Sequence, residues 1–303
     1  MMKKIRQEGY WRSAWGEIIR RPRAVISLSV ILLYLAVTVW VYTGWQTPDW
    51  KKENFDEAYL PPSGQHWFGT DIYGRDVFAK TVYGTRVAVT VALVASVLAA
   101  AIGLTLGLLA GYFGGKADAV ITWLYSTLQS IPYYLLILAF AFVLQDKHFS
   151  LLGYEFQIRG IKAVYLALGL TGWVGLCRLI RGEVLRHRER DYVLAARSLG
   201  APGPRIIFRQ ILPNVFHLVV ITFSLSFIGY IHAEVILSFL GLGVKNAPSW
   251  GVMIDDAKLE LFRGVWWQLA AATGAIFFIS LTLHIFGDTV RDALDPRLRG
   301  VKQ

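Results

Sequence analysis

RLIRGEVLRHRERDYVLAARSLGAPGPRIIFRQILP, residues 178–213, is the most basic stretch of this chain. Eight arginines (Arg178, Arg181, Arg186, Arg188, Arg190, Arg197, Arg205, Arg209) stand against three acids, Glu183, Glu189 and Asp191. Long apolar segments flank it on both sides. The positive-inside bias places such a loop between membrane spans in the cytoplasm.

Composition points the same way. The chain has 303 residues, 55% of them hydrophobic, and a mean hydropathy of +0.45. A helix needs about 20 apolar residues to cross roughly 30 Å of hydrocarbon. The apolar runs predict an all-α membrane protein with six transmembrane helices. The net charge of +10 falls in segments flanking the spans, so lipid headgroups and topology account for it and no nucleic-acid partner is implied. The single cysteine, Cys177, excludes an internal disulfide.

Residues 1–23 carry seven basic side chains, with Trp11 and Trp15 four apart, as suits a short helix at a headgroup boundary. The apolar core after it, 24–44, is too long for a secretory signal and lacks a small-x-small cleavage site, so it reads as an uncleaved first span. Residues 45–85 hold six acids against four bases and belong outside. Residues 86–287 form a five-helix core with its cytoplasmic loop at 182–213, and 288–303 form a tail. Six spans place both termini in the cytoplasm.

Within the core, spans are expected over 87–112, 120–145, 161–179, 215–243 and 265–286, with a mixed loop at 146–160. Gly103, Gly107, Gly111 and Gly115 recur every fourth residue, lining one helix face for close packing. Pro132 interrupts the third span, where a proline removes a hydrogen bond and kinks the helix. Gln129 and Ser130 stand just before it, placed either to satisfy freed backbone groups or to touch a substrate. His232 and Glu234 lie within the fifth span. An ionisable group at that depth costs about 2.5–3.5 kcal/mol unless it faces protein or water, so both are candidates for a structural pair or for the translocation path.

No cofactor or metal site is read in this chain. The six histidines are scattered without paired spacing. Gly111 to Ala117 is one residue short of a phosphate loop and has Ala117 where a hydroxyl is required.

In the basic loop, Glu189–Gly200 reads as a short amphipathic helix capped by Asp191, with Val193, Ala196 and Leu199 at helical spacing and Gly200 as its stop. Ala201-Pro202-Gly203-Pro204 turns the chain, and a second helix, Arg205–Leu212, ends at Pro213. Two readings stand: an interfacial helix lying on the bilayer, or an apolar knob that fits a groove on a cytoplasmic partner.

Ala195-Ala196, Gly200, Ile207 and Leu212-Pro213 resemble the loop by which permease subunits of ABC importers engage their ATPases. Leu194 stands where that loop commonly has a glutamate, and Gln210 where it commonly has a histidine. Gly69-Thr-Asp-Ile-Tyr-Gly-Arg-Asp-Val-Phe78, the run Glu234–Gly243 with Pro248-Ser-Trp-Gly251, and the run Gly287–Arg297 are similar, in order, to the dipeptide/oligopeptide/nickel permease family. The resemblance implies an ABC type I importer-like bundle in the bacterial cytoplasmic membrane, acting as the C-type subunit of a heterodimer with a second permease. It implies two ATP-binding subunits and an extracytoplasmic solute-binding protein as partners. ATP and magnesium then belong to those partners, and this chain is no enzyme. The coupling residues it implies are Asp191, Tyr192, Ala195, Ala196, Leu199, Gly200, Ile207, Leu212 and Pro213. Di- and oligopeptides are the expected cargo, with nickel chelates, glutathione or oligosaccharides as alternatives. A stand-alone channel and a membrane-embedded enzyme are the rival classes; no convergent catalytic spacing favours the latter.

Overall fold

The computed structural model describes residues 16, 18–45, 47–151, 154–244 and 247–294. Trp11 and Trp15, and the tail residues Arg297, Arg299 and Lys302, lie outside the described residues. Helix α1, Pro22–Thr43, is the first span; Pro22 opens it, where a missing donor costs nothing. Helix α2, Val77–Phe113, is the long central element, capped by the Asp76 carboxylate on Ala79 N. It starts at Val77 rather than near Val87, so the end of the expected outer segment 45–85 is already helix. Lys80 and Arg86 hid this start, because their charges find partners only in the folded protein.

Helices α3, Gly115–Gln129, and α4, Tyr133–Leu144, meet at a bend of 96°. The expected kink at Pro132 is a full break, and the Ser130 hydroxyl turns back to Thr127 O at 2.7 Å. Five helices are long and apolar enough to span a membrane, six if this bent pair is one span. The pair runs between the two ends of the bundle: Gly114 lies beside the Arg188 guanidinium, while Asp146, just after α4, is bonded to Ile158 and Arg159, next to Ile161, which stands with Trp50 and Pro248 at the other end.

The stretch 146–160 is no mere loop. Strands β1, Lys147–Leu151, and β2, Tyr154–Ile158, form an antiparallel hairpin with Lys147 opposite Ile158, so the protein is not strictly all-α. Helices α5, Ile161–Thr171, and α6, Val174–Arg188, make one 28-residue span. It runs past Leu179 into the expected loop because Ile180 and Val184 are buried.

Helix α7, Asp191–Ser198, follows. Helix α8, Gly203–Ile206, a π turn at Ile207–Ile211 and helix α9, Leu212–Phe239, then run on as a single span. The expected second short helix therefore does not end at Pro213. That proline sits in the first turn of α9, where the N–H it lacks is spare, and the helix continues through it. Helix α10, Trp250–Leu261, is capped by Ser249. Helix α11, Trp267–Leu294, extends into the expected tail, where Asp292 accepts from Arg21 at 3.0 Å.

Close packing of α2 on α6 forms the centre. A Cβ on Gly103 would lie 2.7 Å from Trp173 O, one on Gly107 2.8 Å from Cys177 O, and one on Gly111 2.6 Å from Val184 Cβ. Gly115 does not join this face. It lies beyond the end of α2, at φ 52, with nothing within 4 Å. Gly107→Leu is expected to force the helices apart and abolish the yield of folded permease, whereas Gly182→Ala, in open space, should leave the melting temperature within a few degrees. Thermal unfolding of the purified permease checks both.

Candidate functional site

The knob read from the sequence exists, built differently from expectation. Asp191 is the first residue of α7 and makes no cap; Arg190 holds the cap position. An acid there still faces the positive end of the helix dipole. Gly200, at φ 77, ends α7. Ala201 N donates to Ala196 O and Gly200 N to Arg197 O, both at 3.0 Å, the paired bonds of a glycine-stopped helix.

Val193 anchors α7. It is buried with Leu176, Ile180, Val184, Ile206, Ile207 and Ile211 in a core at this end of the bundle. Tyr192 Oη lies 2.6 Å from His187 Nδ1 at the end of α6, and Arg197 stacks over Tyr112 at the end of α2. Ile207 and Leu212 therefore serve the chain's own packing, and burial removes Ile207 from any docking face. What remains outward is Tyr192, Leu194, Ala195 and above all Leu199, which is 87% exposed. Asp191 and Pro213 are exposed as well, while Ala196 is half-buried.

The intramembrane candidates do not converge. Glu234 is fully buried, accepts from Ser238 Oγ at 2.6 Å, and shares that hydroxyl with Val244 N at 3.4 Å. It ties α9 to the chain that folds back after it. His232 Nε2 lies 3.0 Å from Ser280 Oγ and links α9 to α11. Gln129 stands apart from both, accepting from Arg178 Nη1 at 3.1 Å.

At the opposite end of the bundle is a charge cluster that the sequence did not reveal. Lys80 is 2% exposed. Its Nζ donates to Asp71 Oδ2 at 2.9 Å and Gln268 Oε1 at 2.7 Å, with Asp256 at 3.5 Å. Arg75 also donates to Asp71 at 2.8 Å. Glu260 accepts from Ile72 N at 3.3 Å, while its Oε2 has no partner among the described residues. Two tryptophans pin the same segment: Trp267 Nε1 donates to Thr70 O at 2.8 Å and Trp250 Nε1 to Thr81 O at 3.1 Å. Asp71 and Lys80 become a pair only when the loop folds back on α2, and Gln268 arrives from α11. No sequence spacing signals that.

Burial raises the Asp71 carboxyl, but Lys80 and Arg75 outweigh it and hold the group below its ordinary value of 3.8. Burial pushes Glu260 up, and Lys80 only partly offsets this.

Residues 103–300 match the family described as "Binding-protein-dependent transport system inner membrane component". The chain belongs to this family: it is a membrane-spanning permease subunit of an ABC importer. It is 38% identical over 295 residues to the dipeptide transport system permease protein DppC of Bacillus subtilis, covering 96% of this chain and 87% of that one. The oligopeptide permease protein OppC of the same organism is 33% identical over 291 residues, covering 95% and 90%. The glutathione permease protein GsiD of Pectobacterium atrosepticum is 32% identical over 290 residues, covering 95% and 92%. The inward-facing MetNI methionine ABC transporter shares the fold, with a TM-score of 0.51 and 17% identity over 74% of this chain and 97% of that one.

Removing one partner of a buried ion pair leaves the other charge uncompensated, at about 3–5 kcal/mol. Lys80→Met is therefore expected to lower the melting temperature of the purified permease markedly. Glu260→Gln should leave it unchanged or raise it, since the ionised form of that carboxyl is the disfavoured one. The Asp71 contribution is fully present at neutral pH and is lost only as pH falls through a value below 3.8.

Proposed function

We propose that this chain carries di- and oligopeptides across the bacterial cytoplasmic membrane by alternating access. It would form one half of a permease heterodimer, driven by two separate ATP-binding subunits and fed by an extracytoplasmic solute-binding protein. The relatives that match along nearly its whole length are named for dipeptides and oligopeptides. Glutathione, in the name of another relative, is itself a peptide and widens the range without changing the class.

The observation that carries the mechanism is the split character of α7. Val193 is buried in the core of the bundle, while Leu199 stands free on the outer side. A helix held this way transmits force. Closure of the ATP-binding subunits on Asp191, Tyr192, Ala195, Ala196 and Leu199 would pull Val193, and with it α6 and the start of α9. Gly200 makes the turn, and Ile207, Leu212 and Pro213 support the knob from behind. The basic loop 182–213 supports a cytoplasmic α7, with both termini on that side and 45–85 outside.

In the complete importer, Leu199→Asp is expected to release the ATP-binding subunits on co-purification and cut tripeptide uptake more than tenfold, with the permease pair intact. Normal co-purification and uptake would refute the coupling role. Mass spectrometry of the ligand bound to the partner binding protein should find peptides; a nickel chelate or an oligosaccharide would reassign the cargo.

A further inference from the structure

Two interruptions in the helices meet at one place. Helices α3 and α4 part with a bend of 96°, and α5 hands over to α6 at Gly172 and Trp173. Between these breaks and α9 lies a cavity of about 610 Å³, whose lining includes Gln129, Gly172, Gly175, Ser226 and Tyr230. Gly175 stands near the middle of the 28-residue span Ile161–Arg188. Gln129 closes the 15-residue helix that begins at Gly115, roughly 20 Å along it at about 1.5 Å per residue. On these lengths the cavity lies near the middle of the span Ile161–Arg188.

Its walls are shaped by what is missing from them. A Cβ on Gly172 would lie 2.1 Å from Tyr230 Oη, so that hydroxyl fills the space a side chain would need. The Cβ position of Gly175 has nothing within 4 Å and is open. Gln129 and Arg178, hydrogen-bonded to each other, are both exposed on this face. An amide and a guanidinium at such depth are costly against lipid and occur facing protein or a water-filled path. Broken backbone at membrane depth is tolerated under the same condition. This face looks onto an aqueous route.

The polar groups in the lining, Gln129, Ser226 and Tyr230 among them, carry no charge, and the Arg178 guanidinium beside them is engaged by Gln129. They match main-chain amides, which all peptides share, and favour no side chain. We propose that this cavity is a resting site on the translocation route that holds the main chain of an extended peptide. Gly175 leaves it the room, and Gln129 and Ser226 offer it hydrogen bonds. The site rests on the peptide-import reading and gives it a location within this chain.

The test uses the whole importer in proteoliposomes loaded with ATP and supplied with labelled trialanine through its binding protein. Gly175→Leu, which fills the cavity, is expected to cut uptake at least tenfold while the complex still co-purifies. Triserine uptake should fall by the same factor. Gly274→Leu adds equal bulk in open space on α11 and should leave uptake near wild type. Wild-type uptake by Gly175→Leu overturns the site. If that variant does not assemble, Gly175→Cys in a Cys177→Ala background decides. A membrane-impermeant methanethiosulfonate should label it, and trialanine should slow the labelling; no labelling, or labelling indifferent to trialanine, overturns the site equally. A wild-type importer that takes up neither peptide refutes the peptide-import reading, whereas peptide uptake untouched by Gly175→Leu refutes this site alone.

Discussion

The approach of α2 to α6 is the constraint on which the rest depends. Three glycines, Gly103, Gly107 and Gly111, bring the backbone of one helix against the carbonyls of Trp173, Cys177 and Arg181 on the other. In a bilayer this matters more than in water, because lipid is as apolar as leucine and helices associate through close packing and hydrogen bonds. Everything at the knob end is hung on that pair. Val193 packs under Val184 and Ile180 of α6, and Tyr112 at the end of α2 meets both Gly203 and Arg197. The orientation of the knob is thus inherited from a contact made inside the membrane.

The other end is held by charge. Lys80, Asp71 and Gln268 form a buried set, with half-buried Arg75 beside it, in which each strong charge has a partner. It fastens the segment before α2 to α10 and α11. Trp267 donates to Thr70 O of that segment and Trp250 to Thr81 O within α2, and both rings are buried. Such a cluster is weak evidence for net stability, since desolvation offsets most of the attraction, but breaking it is costly. It ties that end to α10 and α11.

Between these two ends the helices are interrupted, at Ser130–Pro132 and at Gly172–Trp173. In the proposed mechanism, force enters at α7 and passes along α6, whose first residues border the cavity at these breaks. The continuity of α6 from Val174 to Arg188 joins the two places. Asp118 of α3 accepts from Arg181 of α6, Nη2 to Oδ2 at 2.7 Å, so the wall on the far side of the cavity is tied to the same lever.

The class of protein, the approximate spans and the first helix of the knob were legible in the sequence. Hydrophobic runs report bilayer crossing directly, and a glycine stop followed by Pro202 and Pro204 is a local signal. It also placed the close-packing face correctly at Gly103, Gly107 and Gly111, because helical periodicity is a local property. It failed at Gly115, where the same spacing continues after the helix has ended. Which side of the knob is free follows from packing alone. Val193 and Leu199 are equally apolar on paper, and burial separates them solely because α6 and the π turn lie against one and not the other. The same holds for Lys80, a polar interruption until Asp71 and Gln268 surround it, and for Tyr230, which becomes part of a cavity wall only because Gly172 leaves its hydroxyl a place. Periodicity along a chain can tell that a residue faces something. What it faces is a matter of residues far away in sequence.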